Sequence, residues 1–153
     1  MPKPLPMSDL EDHLGYQVRR VSNRVSGAFA RSLQSKGVSV AEWVALRLIH
    51  QQERMASTQL ADAAGLTRGA TSKVLEKLQS KGLIARSANP QDSRVQWLSL
   101  TPKGVRMLPK LAALADQNDD SFFGCLDPEE RTLLRRLLDR VVDAHQLRDI
   151  PLE

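Results

Sequence analysis

At 153 residues with a formal net charge of +4 and a single cysteine, the chain is sized for one domain with a real core, or for a small lobe whose flanking helices need a partner. No run approaches the roughly 18 consecutive apolar residues of a membrane span, the proline-rich start from Met1 to Met7 lacks the apolar centre of a signal peptide, and the lone Cys125 cannot form an internal disulfide, so a cytoplasmic protein is expected. There is no Gly-rich phosphate loop, nucleophile elbow or His/Glu zinc signature, and His13, His50 and His145 lie far apart, so no enzyme, metal site or cofactor is expected.

Ser8 and Glu11 form a capping box for a first helix whose apolar positions (Leu10, Leu14, Val18, Val21, Val25, Phe29, Leu33) run to Gly37. Ser39 and Glu42 open a second, with Trp43, Val44, Leu46, Leu48 and Ile49. Ser57 is the expected N-cap of a short helix through Leu60, Ala61 and Ala64 that stops at Gly65. Thr67 caps the next, in which Ala70, Val74, Leu75 and Leu78 form the apolar stripe and Arg68, Thr71, Ser72, Lys73, Glu76 and Lys77 take the surface. Gly82 suits a left-handed C-terminal cap. A strand from Leu83 to Arg86, a turn at Asn89 and Pro90, a loop carrying Asp92 and Arg94, and a strand from Val95 to Leu100 then read as a hairpin.

Thr101 and Pro102 start a fifth helix through Val105, Leu108, Leu111 and Leu114, with Pro109 expected to kink it or delay its start. Cys125, near its end, reads as an inert buried thiol. Asp127, Pro128, Glu129 and Glu130 combine cap, first-turn proline and acids for the last helix, whose stripe is Leu133, Leu134, Leu137, Leu138, Val141 and Val142.

The architecture predicted is mainly α with a small β-hairpin wing: a winged helix-turn-helix with long N- and C-terminal dimerisation helices. Residues 1–37 and 105–153 would be dimerisation segments and 38–104 the DNA-binding lobe. The second helix of a helix-turn-helix enters the major groove and presents residues near its N-terminus, here Arg68, Thr71 and Ser72. Arg94 in the wing would reach a minor groove, and Asp92 would hold its guanidinium rather than touch DNA. Between Ser57 and Gly104 seven Lys or Arg stand against three Asp or Glu, so this segment carries all the net charge of the chain. The competing reading of such charge is a solvated helix face. Apolar stripes at both ends imply a homodimer that sets two recognition helices on one side of a two-fold axis; a monomeric bundle is the alternative.

The chain resembles the MarR-type transcription regulators, from about Leu10 to His145. The resemblance is carried by TRGATSKVLEKLQSKGLIAR from Thr67 to Arg86, NPQDSR from Asn89 to Arg94, and LTPKG from Leu100 to Gly104. It implies a homodimer that binds a palindromic operator on double-stranded DNA and most often represses transcription. Asp92 and Arg94 match the family's Asp-x-Arg wing element; Arg68, Thr71, Ser72, Lys73 and Lys77 fall on its contacting helix, and Arg86 closes the same run. It further implies release by a small aromatic or phenolic effector bound between the dimer helices and the lobe. Tyr16, Trp43, Arg47 and His50 lie on helices bordering such a cleft, with core packing or plain solvation as the competing reading. The alternative function is a winged-helix protein-interaction module without specific DNA binding.

Overall fold

The computed structural model describes residues 6–152. A 3-10 turn at Leu10–Asp12 precedes α1 (Leu14–Gln34) and α2 (Val40–His50); β1 (Met55–Ala56), α3 (Ser57–Ala64), α4 (Arg68–Ser80), β2 (Ile84–Asn89) and β3 (Asp92–Leu100) follow, and α5 (Pro102–Phe123) and α6 (Pro128–His145) complete the chain.

Short-range capping decides most of the boundaries. The Ser39 Oγ accepts from the Glu42 amide at 3.1 Å and the Glu42 carboxylate accepts from the Ser39 amide at 3.3 Å, closing the predicted box on α2. Thr67 caps α4 through the Ala70 amide, Thr101 caps α5 through the Gly104 amide, and Asp127 and Glu130 exchange bonds at the start of α6. Gly65 and Gly82 close α3 and the α4 corner with φ of 66° and 70°, where a side chain would be strained.

Four local expectations are corrected. The first box is formed by Asp9 and Asp12, not by Ser8 and Glu11, and it closes only the 3-10 turn, so α1 begins at Leu14. Ser57 is the first residue of α3 rather than its cap; the Gln59 side chain caps the helix instead by accepting from the Ala56 amide at 2.9 Å. Pro109 lies inside α5 without delaying its start at Pro102. Cys125 follows α5 rather than ending it and is exposed, with its thiol directed at the Phe122 carbonyl.

The strands form one antiparallel sheet in the order β1-β3-β2, with Met55 and Arg86 both opposite Leu98, and Ile84 opposite Leu100. Its inner face meets the helices: Leu33, Leu46, Ile49, Leu60, Leu75, Leu78, Leu83, Leu98 and Leu111 are fully buried. Leu33 at the end of α1 and Leu108 and Leu111 in the first half of α5 belong to this one cluster, so both long helices are rooted in the lobe. Beyond those roots cover is partial: Val25, Leu114, Phe122 and Phe123 are half-buried, Leu14, Val18 and Val21 are exposed, and α6 buries none of its residues. No helix among the described residues is long and apolar enough to cross a membrane.

Candidate nucleic-acid interface

The period of the strands sets the chemistry of the cleft between the helix-turn-helix and the hairpin. Because alternate residues share a face, Arg94 and Gln96 lie on the same side of β3 as Leu98, and Arg86 lies on the same side of β2 as Ile84. That is the side that faces the helices. Near the core it is apolar; further out it carries two guanidinium groups. A cleft of about 520 Å³ results, bordered by Arg68, Thr71 and Ser72 from α4 and by Arg86, Arg94 and Gln96 from the hairpin.

Arg86 is the unusual member. Among the described residues its Nε and Nη2 are buried with no hydrogen-bond partner, and Nη1 makes a long 3.5 Å contact to the Gln96 side-chain oxygen. A buried donor without an acceptor costs about 1–3 kcal/mol, more when charged, unless something outside the chain supplies one. Asp62 also borders the cleft, so the cationic set is not wholly unopposed.

Several expectations about individual side chains change. Thr71 is buried, and its hydroxyl donates to the Thr67 carbonyl at 2.8 Å, so it faces the lobe interior rather than lying on the open surface of α4. Asp92 and Arg94 lie on β3, not in a loop; the hairpin turns tightly at Pro90 and Gln91. The Asp92 carboxylate accepts from the backbone amide of Arg94 at 3.0 Å, not from its guanidinium, so it fixes the strand's first residues and leaves the side chain free. Arg68, Ser72 and Lys73 are exposed on α4. Lys77 is exposed one turn beyond Lys73 and also borders a recess with Gln34, Ser39 and Glu42 at the corner between α1 and α2. Gln96 is a member of the cleft that motif and charge patterns miss; its two-residue spacing from Arg94 is the signal that points to it.

The candidate effector residues are not gathered around one recess. Trp43 is half-buried, edge-on to Phe29 at 6.0 Å, with the Arg47 guanidinium 5.6 Å from its ring centre. Arg47 and His50 are exposed and Tyr16 is half-buried near the start of α1; none of the four lines any of the five principal recesses among the described residues.

Two helices joined through a left-handed glycine, backed by a three-stranded sheet and separated from its hairpin by an arginine-bearing cleft, define a winged helix-turn-helix. Residues 38–95 match the MarR family. A candidate transcriptional regulator of the hcr operon of Thauera aromatica is 32% identical over 129 residues, covering 84% of this chain and 78% of that protein. An HTH-type transcriptional repressor of Mycobacterium tuberculosis is 27% identical over 128 residues, covering 84% and 92%. BpsR of Bordetella bronchiseptica, solved in work on how 6-hydroxynicotinic acid regulates its DNA binding, superposes with a TM-score of 0.75 at 25% identity, covering 90% of this chain and 99% of that one. The chain belongs to the MarR family of DNA-binding transcription regulators, which are not enzymes.

Proposed function

We propose that the protein is a cytoplasmic repressor that binds a palindromic operator as a homodimer and is released by a small aromatic acid. The observation that carries the DNA-reading part is the Arg86 guanidinium, buried with two donors unpaired in a cleft it shares with Arg68 and Arg94. Turned outward into that cleft, the Arg86 side chain would find the missing acceptors on a phosphate or base edge, and charge-assisted bonds to an anion are the strong kind. Arg68 and Ser72 would approach the major groove, Lys73 a phosphate, and Arg94 the flanking minor groove, with Asp92 shaping the strand that carries it.

Dimerisation is supported by the bare apolar faces. Leu137, Leu138 and Val141 on α6 remain 45–54% exposed, and Leu14 on α1 82% exposed. An 18-residue helix with no buried residue has little to hold it in water, since helices in proteins owe most of their stability to a packed face. Pairing 1–37 and 105–153 between two copies would cover those faces and leave two lobes of 38–104 to read two half-sites about one DNA turn apart. For the effector, the half-buried Trp43 with Arg47 over its ring and Phe29 at its edge offers an aromatic wall and a cation, the pairing an aromatic carboxylate requires. Tyr16 and His50 stand on the same two helices. The regulation of BpsR by 6-hydroxynicotinic acid supports that ligand class.

The test is fluorescence anisotropy of the purified protein against DNA from its own upstream intergenic region and a scrambled duplex of equal length, at near-physiological salt. Tight binding to the native fragment, weakened by an aromatic acid, is the expected result. Equal and weak binding to both duplexes would favour the protein-interaction module.

A further inference from the structure

The recognition helix ends in a polar knot whose arms come from both long helices. Lys81, immediately after α4, donates from Nζ to the Gly37 carbonyl at 2.7 Å and to the Glu42 carboxylate at 2.6 Å. Gly37 closes α1 and Glu42 opens α2, so a single ammonium pins the α1–α2 corner to the end of α4. On the other side, the Lys81 carbonyl accepts from the Lys103 ammonium at 2.8 Å and the Gly82 carbonyl accepts from the Thr101 hydroxyl. The Thr101 amide donates to the Leu83 carbonyl at 3.1 Å, and Gly104 packs so tightly on that same oxygen that a Cβ there would clash. The first turn of α5 is thus seated directly on the corner that follows α4.

Glu42 is the costly part. Its side chain is only 3% exposed, whereas that of Lys81 is 36% exposed. A buried carboxylate is weak evidence for stability, because apolar replacements of buried ion pairs are often neutral or better. Capping α2 does not require the charge, since an amide oxygen would accept from Ser39 equally. What the pair adds is a fixed link between the end of the recognition helix and the start of α2, across 39 residues of sequence, and it holds the Lys81 ammonium where it also bonds to the Gly37 carbonyl after α1.

We propose that Glu42 and Lys81 are positioning residues for DNA reading: their ion pair sets the angle at which α4 leaves the dimer helices, and so the spacing of the two recognition helices on a two-part site. The inference rests on the DNA-binding reading above. Neither residue touches DNA in it. A change at α1 is passed to α4 through the Lys81–Gly37 bond that the ion pair holds in place, and a change at α5 through the Thr101 and Lys103 contacts.

The test uses duplexes enriched by the native protein from a random 30-base-pair pool, each compared with its own scramble. The double variant Glu42→Gln/Lys81→Met leaves no unpaired buried charge and keeps the net charge of the chain unchanged. It is expected to stay folded and dimeric by circular dichroism and sedimentation while its preference for selected over scrambled duplex falls by about tenfold, within the usual range of coupling between separate sites. Glu42→Gln alone, which keeps the cap and a hydrogen bond to Lys81, should lose less. Undiminished preference in the folded double variant would overturn the proposal while leaving the DNA reading intact. Failure of both variants to fold would make the pair a stability element and overturn it too. If the native protein enriches no sequence, the DNA reading itself falls and takes the proposal with it.

Discussion

The lobe and the long helices are built from the same kinds of residue but meet opposite fates. In the lobe, leucines at 46, 60, 75, 78, 83 and 98 are all but inaccessible to water. On α6, leucines at 133, 137 and 138 stay 44–46% exposed, and the N-terminal end of the chain carries Leu10 and Leu14 more exposed still. The core of the lobe is therefore closed, with Leu33, Leu108 and Leu111 supplied by the roots of the long helices, while the distal helices keep broad apolar faces uncovered. In the proposed dimer this division would set the closed core behind the DNA-reading helix and the uncovered faces where two copies meet.

The largest effect expected is in the lobe. Leu98 sits opposite Met55 and Arg86 at the centre of the sheet. Leu98→Ala should cost about 2–5 kcal/mol, the usual penalty for a cavity in a closed core, measured by urea denaturation. A loss below about 1 kcal/mol would show that the lobe is not the tightly packed half of the comparison.

Next in size is the break between copies. Leu137 and Val141 lie one turn apart on α6, 45% and 54% exposed. If each is buried on association it contributes about 1.5–3 kcal/mol, so Leu137→Asp/Val141→Asp should weaken the dimer by roughly a hundredfold or more. Sedimentation should then show monomers whose lobe retains its structure. A dimer of unchanged strength would place the interface elsewhere.

Arg86 separates reading from stability within the lobe itself. Arg86→Ala removes two unpaired buried donors, so thermal stability should hold or rise while affinity for a verified operator falls by about 1–3 kcal/mol. Arg94→Ala should weaken operator binding similarly without touching the dimer, and Asp92→Ala should do so partially, because the carboxylate acts only through the Arg94 backbone amide. Loss of stability in Arg86→Ala with unchanged DNA binding would return Arg86 to a purely structural role.

What could be read in advance divides along physical range. Interactions three residues apart were legible: the boxes at Ser39 and Glu42 and at Asp127 and Glu130, and the Thr67 and Thr101 caps, stand where their residue types place them. Even there the local code was ambiguous where several polar residues compete. Asp9 and Asp12 close the first turn in place of Ser8 and Glu11, and Gln59 caps the helix that Ser57 merely begins. Contacts formed only by the folded chain left no local trace. The two-residue β1 is too short for any period and exists because Met55 and Ala56 pair with Leu98 and Trp97. The burial of Thr71, the burial of the Arg86 guanidinium and the Glu42–Lys81 pair likewise depend on which elements come to lie over them.

The smallest effect sharpens the comparison at the seam between the two regions. Lys73 and Lys77 are both exposed cations on α4, and sequence alone gives them the same role. The fold does not. Lys77 lies four residues beyond Lys73, on the same side of the helix but about 6 Å further from its N-terminus, and it borders the recess at the α1–α2 corner with Ser39 and Glu42. Lys73 follows Ser72 directly on the open surface. Removing a lysine that touches one phosphate should reduce the slope of log affinity against log salt by about 0.9. Lys73→Ala should show that reduction, uniformly across duplex sequences, whereas Lys77→Ala should leave the slope unchanged and alter affinity only slightly. Equal reductions in both variants would mean that DNA wraps past the end of the recognition helix and reaches the roots of the dimer helices, in which case the division between reading lobe and joining helices is less sharp than their packing suggests.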